Sequence, residues 1–334
     1  IRDCCLSRGL GDVYKRQAQR LLAADEILIL CHKNPDGDTV GSASALYHSL
    51  LQLGKRTAVL CSDELPARYR YTAAKIFQGE FEPQLVVAVD VASVQLFGEK
   101  RDMPRYSRHV NLCIDHHAGN GGYADFTLLD PHAAATAELL YQVLQEMGVT
   151  ITPQIADCLY TGIATDTGCF QFASTTARTH QVAAELIEAG AQVEELNTRL
   201  FASNARERMA AERIARDHLE YHLDGRCALI YLTRDEIQAS GVDPADLEDL
   251  TSLPISIEGV QVGVTLRQQP SGSYRISVRT AKGVDACAIA RRLGGGGHTR
   301  AAGCELLGTL ENTKRAILAE VETELGAPKS QEEH

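Results

Sequence analysis

Short apolar runs alternate with amphipathic segments through the first half of the chain. Four runs are rich in Val, Ile, Leu and Ala without polar alternation, which is typical of strands buried on both faces; they lie at 27–31, 57–61, 85–89 and 110–114. Later segments place apolar residues at helical spacing, at 133–147, 155–165 and 177–189. This alternation predicts an α/β domain built on a parallel sheet that is covered on both faces.

The pattern changes near residue 193. A polar segment rich in Arg and Glu follows, and it predicts a mostly solvated helix. Beyond it we expect a strand at 228–232, a hairpin of alternating strands, and two helices that close the fold. The hairpin and the helices lie at 260–268, 273–280, 285–293 and 310–325. The second half therefore predicts a smaller α/β domain.

These changes of pattern set the expected domain boundaries. They are a first domain over 18–192, a helical linker over 193–222, a second domain over 223–326 and a polar tail over 327–334. Residues 1–17 show no helix or strand period. We interpret them as an extraneous or disordered leader and exclude them from the fold prediction.

Histidine and aspartate side chains follow three of the four predicted strands. His32 comes directly after the first strand, Asp90 after the third, and the triplet Asp-His-His at 115–117 after the fourth. The carboxyl ends of parallel strands meet at one edge of a sheet, where the ligands of such sheets bind. We therefore expect these side chains to lie close together.

Carboxylates in a glycine-containing loop and at a helix end complete a candidate metal site. The six donors are His32, Asp36, Asp38, Asp90, His116 and Asp166. Oxygen and imidazole donors without a thiolate favour Mn²⁺ or Mg²⁺ over structural zinc. Six donors suit two ions that share a bridging carboxylate at about 3.5–4 Å, an arrangement that activates water for phosphoester hydrolysis. Taken singly, each residue has a structural alternative as a turn former, a helix N-cap or a packed histidine.

Charge and cysteine usage narrow the class of protein. A formal net charge of −11 argues against a duplex-DNA-binding protein, which usually needs a basic face. The ten cysteines are scattered without a Cys-x-x-Cys pair, which favours free thiols in a reducing compartment. The sequence shows neither a membrane span nor the apolar core of a signal peptide. We therefore expect a cytoplasmic protein.

Four motifs of the chain resemble those of the DHH phosphoesterase superfamily. They are HKNPDGDTVGSA (32–43), VVAVD (86–90), CIDHH (113–117) and GIATDTG (162–168). The segment GGGGHTRAAG (294–303), preceded by Arg279, resembles the signature of the DHH-associated C-terminal domain. The resemblance covers about residues 18–326. It implies an N-terminal parallel-sheet DHH domain, a smaller C-terminal domain and an active-site cleft between them.

The resemblance implies a role for each motif residue of the first domain. Of the six metal ligands, Asp90 would bridge two ions, His32 and Asp36 would hold the first, and the other three would hold the second. Asp115 would orient an imidazole as a carboxylate behind the ligands. His117 would face the scissile phosphate as a hydrogen-bond donor. Asp90, Asp115 and His117 are thus the implied catalytic residues.

In the second domain, the resemblance implies substrate-binding residues that act together with His117. Arg279 and His298 would grip a phosphate or a base of the substrate. Gly296 and Gly297 would let backbone N–H groups approach an anion. The structural alternatives are an exposed arginine on an alternating strand and a loop histidine.

The compact two-domain length is similar to that of bacterial nanoRNases, many of which also remove the 3′-phosphate of pAp. The glycine-rich signature argues against a type II inorganic pyrophosphatase. The implied substrates are pAp and RNA of about two to five nucleotides, which suit an acidic protein better than long nucleic acid. The expected cofactor is a pair of divalent ions, Mn²⁺ first, with Mg²⁺ or Co²⁺ as alternatives. A homodimer is compatible with these expectations.

Other functions remain as alternatives to this hypothesis. The nearest is a phosphodiesterase acting on pApA or on cyclic dinucleotides. A non-catalytic nucleotide sensor would require the loss of a metal ligand, and every ligand position is intact. An RNA-binding module would require a basic face near Arg291, Arg292 and Arg300.

Overall fold

The structure is a computed structural model that describes residues 2–203, 206–242, 247 and 250–326, and the side chains of these residues apart from 2–10 and 298. The chain divides into two compact units, Ile1–Ser203 and Asn204–His334. The predicted linker, 193–222, therefore spans the division. The predicted polar tail lies outside the described residues.

A five-stranded parallel sheet forms the centre of the first unit. Its order is β2-β1-β3-β4-β5. The strands are β1 (Glu26–Leu30), β2 (Arg56–Leu60), β3 (Leu85–Val89), β4 (Leu112–Asp115) and β5 (Phe126–Leu129). The four strands expected from the sequence are confirmed. The pattern does not predict β5, because this strand is short, lies at the sheet edge and is only partly buried.

Both faces of the sheet are covered, as the sequence predicts. Ile27 and Ile29 of β1 point into one hydrophobic core, and Leu28 and Leu30 point into another on the opposite face. Helices line the first core, whereas irregular segments and the short α3 line the second. The helices are α1 (Arg2–Ala23), α2 (Gly37–Gln52), α3 (Met103–Tyr106), α4 (Thr136–Glu146), α5 (Pro153–Asp166), α6 (Ala177–Glu188) and α7 (Val193–Asn197).

Helix α1 begins well before the predicted start of ordered structure. Val13 and Tyr14 pack against the first core, and Gln17 is buried. The prediction of a disordered leader is therefore wrong for this helical segment, whereas its interpretation as extraneous sequence stays a prediction. Gly9 and Gly11 weaken its helical propensity, so the local pattern does not reveal a helix that packing stabilises.

Two glycines allow α2 and α5 to lie in direct contact. A Cβ atom at Gly41 would lie 2.4 Å from the carbonyl oxygen of Cys158, and one at Gly162 would lie 2.6 Å from Oδ1 of Asp38. A larger residue at either position would push the helices apart. This packing brings the first turn of α2 next to the last turns of α5, which end at Asp166.

A six-stranded mixed sheet forms the second unit, in the order β10-β11-β9-β8-β7-β6. The strands are β6 (Glu220–His222), β7 (Cys227–Leu232), β8 (Val262–Gln268), β9 (Tyr274–Thr280), β10 (Gly296–His298) and β11 (Ala301–Leu306). Only β7 and β8 pair in parallel. The helices are α8 (Arg206–Asp217), α9 (Arg234–Ser240), α10 (Ala286–Arg292) and α11 (Leu310–Leu325).

Two segments of the second unit are more structured than predicted. The end of the predicted linker contributes β6 to the sheet, and α8 buries Ala211 and Ala215 in a core with Ile230 and Leu232. The glycine-rich segment, for which no strand is predicted, forms the hairpin β10–β11. Glycine is a poor strand former, so its pattern does not predict these strands.

Two further expectations concern cysteines and the membrane. The eight cysteines with described side chains are free thiols, and all but Cys169 are buried, as the scattered pattern predicts. Among the described residues, no helix combines the length and apolar character needed to cross a bilayer.

Candidate metal centre

The predicted metal ligands converge at the carboxyl edge of the parallel sheet. His32 follows β1, Asp90 follows β3, and His116 follows β4. Asp36 and Asp38 stand at the start of α2, and Asp166 is the last residue of α5. Ligand atoms of these residues form groups in which all atoms lie within 4.8 Å of one another; the groups are His32–Asp36–Asp90, Asp38–His116–Asp166 and Asp90–His116–His117. The structure thus brings all six predicted ligands together.

Backbone carbonyls orient the two predicted imidazole ligands. Nδ1 of His32 lies 2.8 Å from the carbonyl oxygen of Lys33, and Nδ1 of His116 lies 3.2 Å from that of Ala133. A carbonyl oxygen only accepts hydrogen bonds, so each Nδ1 carries the proton and the neutral ring leaves a lone pair on Nε2. Nε2 of His32 lies 3.5 Å from Oδ1 of Asp36. Carbonyls that fix an imidazole in this way are typical of metal ligands.

Two helix starts hold the carboxylates of Asp36 and Asp38. Asp36 is the N-cap of α2, and its Oδ1 accepts hydrogen bonds from the backbone N–H groups of Asp38 and Thr39, both at 3.1 Å. The buried Asp38 carboxylate accepts bonds from the first N–H groups of α4, at Thr136 (2.6 Å) and Ala137 (3.0 Å). The alternative expected for these two aspartates is turn formation, whereas the structure shows that both bind backbone N–H groups at helix starts in addition to their ligand geometry.

Asp90 lies between the two ligand groups. Its Oδ2 is 3.8 Å from Nε2 of His32, and its Oδ1 is 3.7 Å from Nε2 of His116. Its backbone has a left-handed conformation with φ +60°, which Asp tolerates better than most residues. Its N–H still bonds the carbonyl oxygen of Ile114 at 2.9 Å, so the strand end fixes this unusual conformation. One oxygen of Asp90 therefore faces each group, which is the geometry of a bridging carboxylate.

Burial and crowding shape the charge of the cluster. Burial and the neighbouring Asp166 raise the pKa of Asp38 to about 7, and burial together with Asp38 raises the pKa of Asp90 well above its usual range. Burial opposes the charging of His116, but Asp166 and Asp38 outweigh it and raise the pKa of this imidazole to about 9. Clustered buried carboxylates are costly to ionise together unless a cation lies among them.

The residues present fit divalent cations. Nε2 of His116 is buried and makes no hydrogen bond of acceptable geometry, although Oδ2 of Asp166 lies 3.1 Å away. In the neutral ring, which is the form that binds a cation, the lone pair of this atom would point among carboxylate oxygens, as in a metal ligand. The donor set contains oxygen and imidazole nitrogen only, which suits Mn²⁺ or Mg²⁺.

Asp115 and His117 form a pair beside the cluster. Nδ1 of His117 lies 2.8 Å from Oδ1 of Asp115, and Nδ2 of Asn120 donates to Oδ2 of the same carboxylate at 2.6 Å. Burial opposes ionisation of Asp115, but the bonds from His117 and Asn120 outweigh it and hold the pKa of this carboxyl below its usual value. Because Nδ1 is engaged with Asp115, Nε2 of His117 is free for another partner.

Two residues that hold the cluster are not predicted from the sequence. Oγ1 of Thr136 donates to Oδ1 of Asp90 at 2.9 Å, so Thr136 contacts both Asp90 and Asp38. Asn120 fixes Asp115 from the side away from His117. Neither lies in a motif with metal-ligand spacing. The position of Asn120 shortly after the Asp-His-His triplet is a sequence signal that could have identified it.

Three of the four predicted substrate-binding residues of the second unit line one pocket. Arg279, Gly296 and Gly297 line a cavity of about 470 Å³ at the β9, β10 and β11 end of the mixed sheet. The backbone of His298 pairs with that of Ala301, which itself pairs with Arg279. The side chain of His298 lies outside the described part of the structure.

Two of the three arginines required by the RNA-binding alternative, Arg292 and Arg300, make structural contacts. Arg292 binds Glu320 at 2.6 Å and Glu324 at 3.0 Å, both on α11. Nε of Arg300 donates to the carbonyl oxygen of Thr280 at 2.5 Å. These contacts weaken the case for a basic RNA-binding face here.

Comparisons with known proteins support this description of both units. The family model described as the DHH family, N-terminal domain, matches residues 26–163, and the model described as the DHHA1 domain matches residues 228–327. The Thermus thermophilus protein named bifunctional oligoribonuclease and PAP phosphatase NrnA is 33% identical over 315 residues, covering 90% of this chain and 90% of the relative. A Bacillus subtilis protein of the same name is 26% identical over 305 residues, covering 90% and 94%.

Solved structures show the same fold. An exopolyphosphatase-related protein from Bacteroides fragilis aligns with a TM-score of 0.86 at 24% identity, covering 93% of this chain and 96% of that one. Sequence relatives, family models and the ligand geometry at the sheet edge thus agree. The chain belongs to the DHH family of phosphoesterases and carries a DHHA1 domain in its second unit.

Proposed function

We propose that this protein is a metal-dependent hydrolase that cleaves RNA oligomers of a few nucleotides to mononucleotides and removes the 3′-phosphate of pAp. The observation that carries the proposal is the pair of ligand groups that share Asp90. The names of the Thermus and Bacillus relatives support the choice of substrates.

The cluster would hold two divalent cations, with Mn²⁺ as the first candidate. His32 and Asp36 would hold one, Asp90 would bridge both, and the ligands of the second would be Asp38, His116 and Asp166. When bound, the pair supplies Lewis-acid polarisation of the phosphoryl oxygens and lowers the pKa of water at the site. Carbonyl contacts to Nδ1 of His32 and His116 would leave both Nε2 atoms available to hold the ions.

His117 would donate a hydrogen bond to a non-bridging oxygen of the reacting phosphate. Asp115 holds Nδ1, which fixes the ring and leaves Nε2 for the substrate when the ring is protonated. A donor aimed at charge that develops on phosphoryl oxygens stabilises the transition state. Asp115 therefore acts by positioning His117.

The second unit would supply groups that bind the substrate away from the reacting phosphate. Arg279 offers a guanidinium, and Gly296 and Gly297 expose backbone on the same pocket. His298, next to them in β10, would be a further contact. These assignments rest on the pocket and on the DHHA1 match.

A substrate panel with two aspartate variants tests the proposal. The purified full chain with Mn²⁺ is given pAp, pApA, RNAs of increasing length and pyrophosphate, and initial rates are compared. Asp90→Asn removes the bridging charge with an isosteric residue that also tolerates the left-handed conformation. Asp102→Asn is the matched control, because Asp102 is exposed and its side chain caps no helix.

We expect turnover of pAp and short RNA that falls with RNA length. It should be retained in Asp102→Asn and lost in Asp90→Asn. Faster turnover of pApA than of both pAp and short RNA would favour the alternative function, a phosphodiesterase acting on dinucleotides. Cleavage of pyrophosphate or of long strands alone would contradict the substrate assignment, and no turnover of any substrate would favour the sensor.

A further inference from the structure

An exposed aromatic ring stands beside the metal centre. Phe172 is 58% exposed, which makes it the most exposed aromatic among the described side chains. It lies six positions after Asp166, in the turn that joins α5 to α6. Burial of a ring of this size is normally favourable, but single exposed hydrophobic side chains are common on protein surfaces. A binding role for this ring therefore depends on what holds it in place near the metal centre.

Thr167 makes the turn rigid. Its carbonyl oxygen accepts bonds from the N–H groups of both Gln171 and Phe172 at 2.9 Å. Its buried hydroxyl donates to the carbonyl oxygen of Ile163 at 2.7 Å and accepts from the N–H of Phe170 at 3.0 Å. The backbone that carries Phe172 is therefore tied to the last turn of α5.

Three consecutive residues of this turn have left-handed backbone conformations: Gly168 (φ +56°), Cys169 (φ +57°) and Phe170 (φ +66°). Two of them are not glycine, so the conformation costs free energy that the surrounding contacts must offset. Phe170 provides one such contact, because its ring stacks on His180 with centroids 5.1 Å apart. Strained turns of this kind cluster at ligand sites.

The ring of Phe172 rests on the backbone of Gly168. A Cβ atom at Gly168 would lie 2.4 Å from Cζ of Phe172, so only glycine permits the contact. The contact limits the motion of the ring without burying it. A side chain that is ordered before binding loses less conformational entropy when a ligand stacks on it.

The ring also lies within the span of a nucleotide from the metal centre. Gly168 is two residues after Asp166, and consecutive Cα atoms are about 3.8 Å apart, so their Cα atoms are at most about 7.6 Å apart. Because the ring rests on Gly168, it lies on the same short turn as the ligand Asp166, near enough for one nucleotide to contact both.

We propose that Phe172 is a stacking platform for a nucleobase of the substrate whose phosphate is bound at the metal centre. This inference rests on the proposed function and adds a base-binding subsite to it. Aromatic side chains stack on any base because every base has a π-face, so the platform would favour nucleotides over base-free phosphoesters without selecting a sequence.

A comparison of substrates with and without bases tests the stacking. The specificity constant kcat/KM is measured with Mn²⁺ for pApA and for two analogues. Each analogue has an abasic ribose in place of one adenosine. Phe172→Ala is expected to reduce the preference for pApA over one of the analogues by about 5- to 100-fold. Phe172→Tyr should retain the preference, and Phe172→Leu should lose most of it, since leucine is apolar but has no ring.

A fluorescence experiment provides a readout that does not depend on turnover. The chain contains no Trp, so Phe172→Trp creates a single-tryptophan protein. AMP is titrated against it with the Mn²⁺ concentration constant, and ribose 5-phosphate is the base-free control. Phe126→Trp is the matched variant, because Phe126 is also exposed (42%) but opens β5 at its amino end, away from the carboxyl edge of the sheet.

Quenching by AMP but not by ribose 5-phosphate, in Phe172→Trp and not in Phe126→Trp, is the expected result. Equal responses of the two variants, or an unchanged preference in Phe172→Ala, would overturn the stacking proposal even in an active enzyme. If the wild type hydrolysed no nucleotide while AMP still quenched Phe172→Trp selectively, the proposed reaction would fail and the base subsite would stand.

Discussion

The first unit presents charged side chains that helix starts and carbonyls hold at a sheet edge, whereas the second presents glycine backbone in a short hairpin. In the first unit, Asp38 accepts bonds from the start of α4, and a carbonyl fixes His116. In the second, Gly296 and Gly297 open one strand and Arg279 stands across the pocket. The first site is built from side chains, whereas the proposed pocket of the second combines exposed glycine backbone with the side chain of Arg279.

This difference determines how each site responds to substitution. A side-chain site loses function when a ligand is removed, and the metal-free fold should survive where the lost group is a buried carboxylate that is costly to ionise. A backbone site keeps its chemistry after many substitutions but loses its shape when a Cβ is added. Substitutions in the first unit should therefore mainly reduce activity, whereas substitutions at the glycines of the second should mainly reduce stability.

The largest expected effect comes from Asp90→Asn. Loss of the bridging carboxylate should lower kcat by more than about 100-fold, because even the partners behind metal ligands contribute 10- to 100-fold. Without metal, the variant should unfold at the same or a higher temperature, since it removes a buried carboxylate that is costly to ionise. Initial rates and thermal unfolding check both points. Activity within tenfold of wild type would contradict the bridging role.

A smaller effect is expected from Thr136→Val. The change removes the hydroxyl that donates to Asp90 and leaves the backbone N–H that binds Asp38. Activity should fall by about 10- to 100-fold, with weaker Mn²⁺ binding. Thr136→Ser keeps the hydroxyl and should stay near the wild-type rate. If Val and Ser gave equal rates and equal Mn²⁺ affinities, the hydroxyl would have no role in holding Asp90.

Adjacent glycines provide the corresponding test in the second unit. A Cβ at Gly297 would lie 2.6 Å from the carbonyl oxygen of Ala301, and its φ of +144° disfavours other residues. Gly297→Ala should therefore destabilise the hairpin by about 1–3 kcal/mol. A Cβ at Gly296 would meet nothing within 4 Å, so Gly296→Ala is the control with little effect. Urea unfolding of the full chain measures the difference, and equal stability of the two variants would contradict the close approach.

The smallest effect concerns a charge pair that has no role in either site. Nζ of Lys314 lies 2.7 Å from Oε1 of Glu220. Partial burial opposes ionisation of Glu220, but Lys314 outweighs it and lowers its pKa. The pair should therefore stabilise above the unfolded-state pKa of Glu220, about 4.3, and this contribution should be lost as the pH falls through the lower folded-state value.

Lys314→Met tests this pH dependence because it keeps the apolar stem of the side chain. We expect a loss of no more than about 1 kcal/mol near pH 7, since the pair is partly exposed. The difference in the free energy of unfolding between Lys314→Met and wild type, measured by urea unfolding over a range of pH, should disappear in acid as Glu220 is protonated. A difference that grew as the pH fell would contradict the assignment.

Side-chain chemistry at strand ends made the first site predictable. Continuous apolar runs locate β1, β3 and β4, and the topology of parallel sheets brings their carboxyl ends together. Asp90 and His116 could therefore be assigned to one site from the sequence. The residues that hold them could not, because Thr136 acts through contacts across 46 and 98 positions that no local pattern encodes.

Local sequence propensity did not predict the secondary structure of segments whose conformation is decided by packing or pairing. Helix α1 contains glycines and a β-branched Val13, yet packing against the first core stabilises it. Strand β10 contains two glycines, and its pairing with β11 decides its conformation. In the second unit, the four successive glycines at 294–297 indicated a tight turn or a close approach of backbone to a ligand, and the resemblance to the DHH-associated domain added the substrate-binding role of Gly296 and Gly297.

The most direct test of the metal centre counts the Mn²⁺ ions bound per chain. Equilibrium dialysis of the wild type against Mn²⁺, followed by elemental analysis, should give two ions per chain, as two ligand groups joined by one carboxylate require. Asp90→Asn should bind fewer than two or bind them far more weakly, and Asp102→Asn should match the wild type. A wild type that saturates with one ion or none, or an Asp90→Asn variant that binds two as tightly as wild type, would contradict the bridged centre.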